Sequence, residues 1–141
     1  MRNKVICILT LTILASVFLN SCQSESELNY ARYFVNGKGV YEKHCQNCHA
    51  ADGAGLGMLI PPLTDTLFLK ENKNQLSCII KYGLNGKISV NGKIYDGKMP
   101  AERHLSDIEI GAVITYITNS FGNKQGLYDV NDVAKDLGAC K

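Results

Sequence analysis

The chain contains no tryptophan, only three prolines, and no block of like charge. With 15 Lys and Arg against 13 Asp and Glu, the net charge of +2 offers no basic stripe for a phosphate backbone, which argues against nucleic acid as the partner. No repeat period or low-complexity tract is present, so neither a solenoid nor a disordered tail fits. Nor is any apolar run long enough for a comfortable permanent membrane helix. What remains is 141 residues, enough for one domain, with six cysteines and 13 glycines.

The first residues read as an address. Arg2 and Lys4 precede an apolar run from Val5 to Leu19, and Leu19-Asn20-Ser21-Cys22 follows. A charged start, an apolar core and a small residue before a cut describe a secretory signal. The Leu, the small Ser21 and the Cys resemble a bacterial lipobox, although Asn20 stands where a small or β-branched residue is usual. On this reading residues 1–21 are removed, Cys22 carries lipid, and several acyl chains there give a lasting membrane anchor. Removal takes two positive charges and leaves the mature chain neutral. Residues 22–29 are polar and are expected as a flexible tether, with the folded domain over 30–141.

Cys7 leaves with the leader, so four cysteines remain in the domain: Cys45, Cys48, Cys78 and Cys140. The first two lie in Cys45-Gln46-Asn47-Cys48-His49. A bare C-x-x-C serves a zinc half-site, a thiol-redox pair or covalent haem attachment. Zinc requires two further ligands at suitable spacing, and the other two cysteines form no second C-x-x-C. A redox pair expects a preceding strand, and nothing upstream reads as one. His49, directly after the second cysteine, favours haem. Cys78 and Cys140, exported into an oxidising compartment, are expected to pair as a disulfide; a buried thiol and a free tail thiol are the alternative.

Elsewhere the local signals are mostly helical. Residues 36–48 read as a helix delivering the motif, and a Gly-rich loop follows it. Met58–Leu63 reads as extended and apolar. Thr64 or Asp65 caps a short helix through Lys70, and residues 75–82 form another, closed by Gly83. Asn91-Gly92 between two alternating runs predicts a hairpin near residues 87–95. Ser106-Asp107-Ile108-Glu109 is a capping box, with Leu105 and Ile110 placed as a hydrophobic staple. Ile110, Val113, Ile114, Ile117 and Phe121 then continue one apolar stripe, with Gly122 as its stop. A last helix is expected over 132–137, ending at Gly138.

This order of motifs resembles a class I c-type cytochrome over roughly residues 30–141. It is especially similar to small bacterial members with a Tyr-x-x-x-Met-Pro segment, here Tyr95 to Pro100. The resemblance implies a mostly α fold of four to five helices wrapped around one covalent haem c. It implies thioether attachment at Cys45 and Cys48, with His49 and Met99 as the axial ligands of the iron. The Pro61 carbonyl would accept from the His49 ring, and Gly39 and Tyr116 would lie where the first and last large helices cross. Met58 and His104 are the competing distal ligands, but Met58 follows His49 too closely and His104 reads as a surface residue. His44 reads as solvated.

Two filled axial positions leave no place for a substrate at the iron, so the expected role is outer-sphere electron transfer without acid–base residues. The chain would serve respiratory or periplasmic redox partners. The alternative is a cytochrome subunit of a larger dehydrogenase, nitrite reductase or terminal oxidase. A haem sensor or peroxidase with a labile Met99, and a haem-free thiol module, are further readings. Residues 81–103 hold Lys81, Lys87, Lys93, Lys98 and Arg103 against Asp96 and Glu102, a local basic excess. Such a rim would steer an acidic docking face and make association salt-sensitive. The exported lipoprotein would face the periplasm of a bacterium.

Overall fold

The long first helix, α1, spans Glu25–His44. The computed structural model describes residues 24–140 and Ile6. The expected cleavage site and Cys22 therefore lie outside the described residues. Helix α1 begins earlier than the sequence pattern suggests, inside the segment expected as a tether. Ser24 is the reason: its hydroxyl accepts from the Glu27 amide at 3.3 Å, and Glu25 and Glu27 complement the positive helix end. At Cys45 the backbone departs from helical geometry (φ −117°), and a separate turn, α2, covers Gln46–His49. The single expected helix is thus two.

Helices α3 (Thr66–Glu71) and α4 (Leu76–Tyr82) follow, linked by a 3-10 turn over Lys73–Gln75. Asp65, nearly buried, caps α3 through its Oδ1 and accepts from the Asn91 amide through Oδ2 at 2.8 Å. This one carboxylate fixes the hairpin of β1 (Ile88–Val90) and β2 (Lys93–Tyr95) beside α3. The strands pair antiparallel, Ile88 opposite Tyr95 and Val90 opposite Lys93. The turn residues Asn91 and Gly92 take positive φ of 52° and 70°, as the Asn-Gly signal requires. Helices α5 (Asp107–Ile117) and α6 (Val130–Leu137) complete six helices among the described residues. The expected mostly α class with one small hairpin holds. No helix among the described residues is long and apolar enough to cross a membrane.

Helix α5 is the centre of the packing. It is apolar almost all round, with Ile110, Gly111, Ala112, Val113, Ile114 and Ile117 buried, because α1, α4 and α6 all rest on it. Its crossing with α1 is a backbone contact. A Cβ on Gly37 would lie 1.9 Å from the Ala112 carbonyl oxygen and 2.9 Å from Tyr116 Cβ. Gly39, expected there, is exposed with nothing within 4 Å. Gly37 shares a face with Tyr30, Phe34 and Tyr41, at i, i+4, i+7 and i+11, and these rings pack in series with Tyr116 and Phe121 at centroid distances of 5.3–5.8 Å.

Two further boundaries differ from expectation. Helix α5 stops at Ile117 and not near Gly122. Thr118 Oγ1 donates back to the Ile114 carbonyl at 2.6 Å, and the Asn119 side chain bonds Thr115, Gln125 and Gly126 and so closes a loop over residues 119–126. Phe121 reaches the aromatic row from outside the helix, at φ 56°. Residues 56–60, expected to run into an extended segment, fold into a turn closed by the Leu56–Ile60 bridge. At the far end, a Cys78–Cys140 disulfide joins α4 to the tail. The Tyr128 hydroxyl donates to Asp136 and accepts from Ser77 at 2.9 Å, so α6 is also held by a polar network.

These contacts yield two stability tests. Gly37→Ala should lose about 3 kcal/mol because backbone cannot yield to the new methyl, whereas Gly39→Ala should gain about 0.5–1 kcal/mol from helix propensity. Denaturant midpoints of the two variants check this, and equal effects would refute the crossing. The second test uses the capping box, where Ser106 hydrogen bonds hold the Glu109 carboxyl below its ordinary 4.5. A depressed folded value means that the contribution is complete above the unfolded value and lost as pH falls through the folded one. Ser106→Ala should therefore cost about 1 kcal/mol at neutral pH, a gap that narrows in acid titrations of stability.

Candidate functional site

One cavity is lined by Cys45, Cys48 and His49 together with Met99 and Tyr95. Phe68, Leu76, Ile80, Val113 and Ile117 make its floor almost wholly apolar. The C-x-x-C-H segment reaches this cavity because the Gly37 crossing anchors α1 and Tyr41 grips the chain just past the motif. The buried Tyr41 hydroxyl donates to the Ala50 carbonyl at 2.6 Å, where the chain leaves α2 at φ 65°. Burial, then the nearby Cys45, raises the Tyr41 pKa well above the ordinary tyrosine range, so it stays a donor. No short motif marks Tyr41; its place one helical turn before Cys45, on the Tyr30–Phe34–Gly37 face, is the signal that singles it out.

His49 faces the Pro61 carbonyl, Nδ1 to O at 3.3 Å. A carbonyl only accepts, so Nδ1 carries the ring proton and Nε2 keeps its lone pair. Burial lowers the His49 pKa, and the bond to Pro61 partly offsets it, a balance that favours the neutral ring, the form that ligates metal. Gly55 makes the Pro61 position possible. It sits at φ +70°, and a Cβ there would lie 2.3 Å from the Ile60 carbonyl and 2.8 Å from Pro61. The Gly55 amide donates to the His49 carbonyl at 3.0 Å, and Leu63 donates to Gly53 at 2.8 Å, so the loop is tied at both ends.

Cys45 is partly buried and Cys48 exposed, both as thiols. Burial first, then Glu102 and Cys48, push the Cys45 thiol up to about 12. A thiol-redox pair requires a lowered value, so this setting disfavours the exchange reading. Cys78 and Cys140 are bonded to each other and cannot complete a zinc site with Cys45 and Cys48. Among the three side chains weighed as distal ligand, Met99 lines the cavity; Met58 is 59% exposed, and neither it nor His104 lines it. Backbone bonds to Leu84 in both directions, at 2.9 and 3.1 Å, pin Met99, and Pro100 follows.

The expected basic face is only partly free. Lys81 donates to the Leu105 carbonyl at 2.6 Å and approaches Asp107, while Lys87 lies 4.0 Å from Asp96. Lys98 lines the cavity itself.

A family described as cytochrome c oxidase, cbb3-type, subunit III matches residues 34–117. The chain belongs to this family of c-type cytochromes. Cytochrome c-552 of Thermus thermophilus is 33% identical over 93 residues, covering 63% of this chain and 70% of that protein. The cytochrome c subunit of the quinone alcohol dehydrogenase of Gluconacetobacter polyoxogenes is 33% identical over 111 residues, covering 74% of this chain. The match spans only 23% of that larger protein. A 28% identical counterpart occurs in Gluconobacter oxydans. The chain is therefore an electron carrier of the class I c-type cytochromes, free-standing or as a subunit, with no catalysis of its own. The family's cofactor is covalent haem c, and an apolar cavity carrying two thiols, a neutral imidazole and a thioether fits it.

Gly55→Ala tests how the Pro61 carbonyl is placed. It should lose at least about 2 kcal/mol, from left-handed backbone plus the clash. Gly57→Ala, also at positive φ but facing open space, should lose only about 1 kcal/mol. Equal losses in thermal unfolding would show that the close approach is immaterial.

Proposed function

We propose that this cytochrome carries a single haem c, bound by thioethers at Cys45 and Cys48, with His49 and Met99 as axial ligands. The observation that carries the reading is the His49–Pro61 contact at 3.3 Å in a cavity that Met99 also lines. Haem held there supplies a one-electron ferric–ferrous couple. Pro61, accepting from Nδ1, orients the imidazole and strengthens its donation through Nε2. Met99 offers a neutral, soft thioether, which favours the reduced state and raises the potential. The apolar floor keeps water away, and two filled axial positions leave no small-molecule substrate at the metal. Leu59, lining the cavity yet 71% exposed, provides apolar contact surface at its mouth for a redox partner. Lys93, Lys98 and Arg103 add positive charge that suits an acidic docking face.

The Leu19–Cys22 pattern supports a lipid anchor at Cys22 and a periplasmic, membrane-tethered carrier of respiratory electrons. The descriptions of the matching family and of the dehydrogenase relatives favour a second reading, a cytochrome subunit of a larger oxidoreductase. Stoichiometric copurification of another chain would select it.

Spectra of the protein made in a host with c-type haem maturation test the reading. A covalently attached haem, a Met–iron band in the far red when oxidised, and no change with carbon monoxide when reduced are expected. Met99→Ala should lose the band and bind carbon monoxide. Carbon monoxide binding by the unaltered protein would mean an open sixth position and overturn the carrier role. A colourless protein would overturn the haem assignment.

A further inference from the structure

Two histidines that read as surface residues in the sequence meet in the fold. His44 ends α1, next to Cys45, and His104 lies in the loop between Pro100 and α5. Glu102 stands between them. Its Oε2 is 3.4 Å from His44 Nδ1 and 3.3 Å from His104 Nε2, and the two nitrogens are 3.3 Å apart. The rings tilt at 45° with centroids 5.0 Å apart, so the nitrogens converge and the ring faces do not stack. The Glu102 oxygen is shielded from solvent yet receives no well-aligned hydrogen bond. A carboxylate oxygen kept from water without a donor is costly, and a cation is what its setting calls for.

We propose that His44, Glu102 and His104 form a binding site for a divalent cation of the zinc class. The triangle has the size of a ligand face: four donors arranged tetrahedrally about 2.0–2.1 Å from a centre are about 3.3–3.4 Å apart. Two imidazoles and a carboxylate are a zinc-type donor set, whereas calcium and magnesium take mainly oxygen. His104 is exposed, with 65% of its side-chain surface accessible, so a fourth position open to water is available. The site uses none of Cys45, Cys48, His49 and Met99, although His44 and Glu102 also line the cavity.

A cation there joins the end of α1, just before the C-x-x-C-H segment, to the loop just after Met99 and Pro100. That loop is already fixed by the Glu102 amide, which donates to the Ile80 carbonyl at 2.9 Å. The metal would thus lock together two segments that both line the cavity.

The test is a titration of the processed, haem-loaded protein with zinc chloride, followed by equilibrium dialysis and calorimetry. One zinc per chain is expected, together with a rise in the thermal midpoint. His104→Ala and Glu102→Gln should each weaken binding at least about tenfold, and His104→Ala, which lies outside the cavity, should leave the visible spectrum unchanged. The exposed His104 keeps the test available if the Glu102 variant does not fold. Absence of saturable binding, or binding unchanged in His104→Ala, would overturn the site. Should the protein prove free of haem, a Cys45→Ser/Cys48→Ser variant separates the cases. Zinc binding retained in it supports the triad, and binding lost with the thiols overturns it.

Discussion

Everything at the cavity depends on how closely α1 can approach α5. Because Gly37 presents no side chain, the α1 backbone lies directly against the Ala112 carbonyl. The row of Tyr30, Phe34, Tyr41, Tyr116 and Phe121 then seals the groove on either side. Were the helices an ångström or two further apart, Tyr41 could not both sit in the core and reach Ala50. The C-x-x-C-H turn would then have no fixed height above the cavity floor. A contact made by omission of an atom thus sets the place of the Cys45-x-x-Cys48-His49 turn.

The other half of the site is made from loops, which hold their shape only through specific bonds. Pro61 is brought to His49 by the passage at Gly55, Met99 is gripped by Leu84, and the hairpin is tied down by the Asp65 carboxylate. The first tie is a close backbone approach and the other two are backbone or charge-assisted hydrogen bonds, each short in reach. This division suits an electron carrier. The helical frame gives rigidity, and the loops can place single atoms, a carbonyl or a sulfur, without altering the frame.

What is legible in the sequence is what local chemistry decides. The Ser106 capping box, the Asn91-Gly92 turn, the Asp65 cap and the Cys45-x-x-Cys48-His49 run all carry their causes within a few residues. The misplacements have distant causes. A first helix begun at residue 36 leaves out Tyr30 and Phe34, and with them the helical phase that selects Gly37 over Gly39. The turn at 56–60 exists because Pro61 passes close to Gly55, and α5 ends where Asn119 captures residues 125 and 126. His44 and His104 are 60 positions apart and share no local signal, so their meeting belongs to the tertiary structure alone.

The Cys78–Cys140 bridge bears on how the chain must mature. It joins positions 62 residues apart, while the two thiols of the C-x-x-C pair lie within one turn. Ring closure along a flexible chain favours the short loop. Governed by chain length alone, oxidation of the nascent polypeptide would therefore link Cys45 to Cys48 and consume the attachment point proposed for haem. The bridge found is the long one, between Cys78 and Cys140. Contact between α4 and α6 brings Cys78 and Cys140 within bonding reach, so the folded structure favours a long bridge that chain length alone does not.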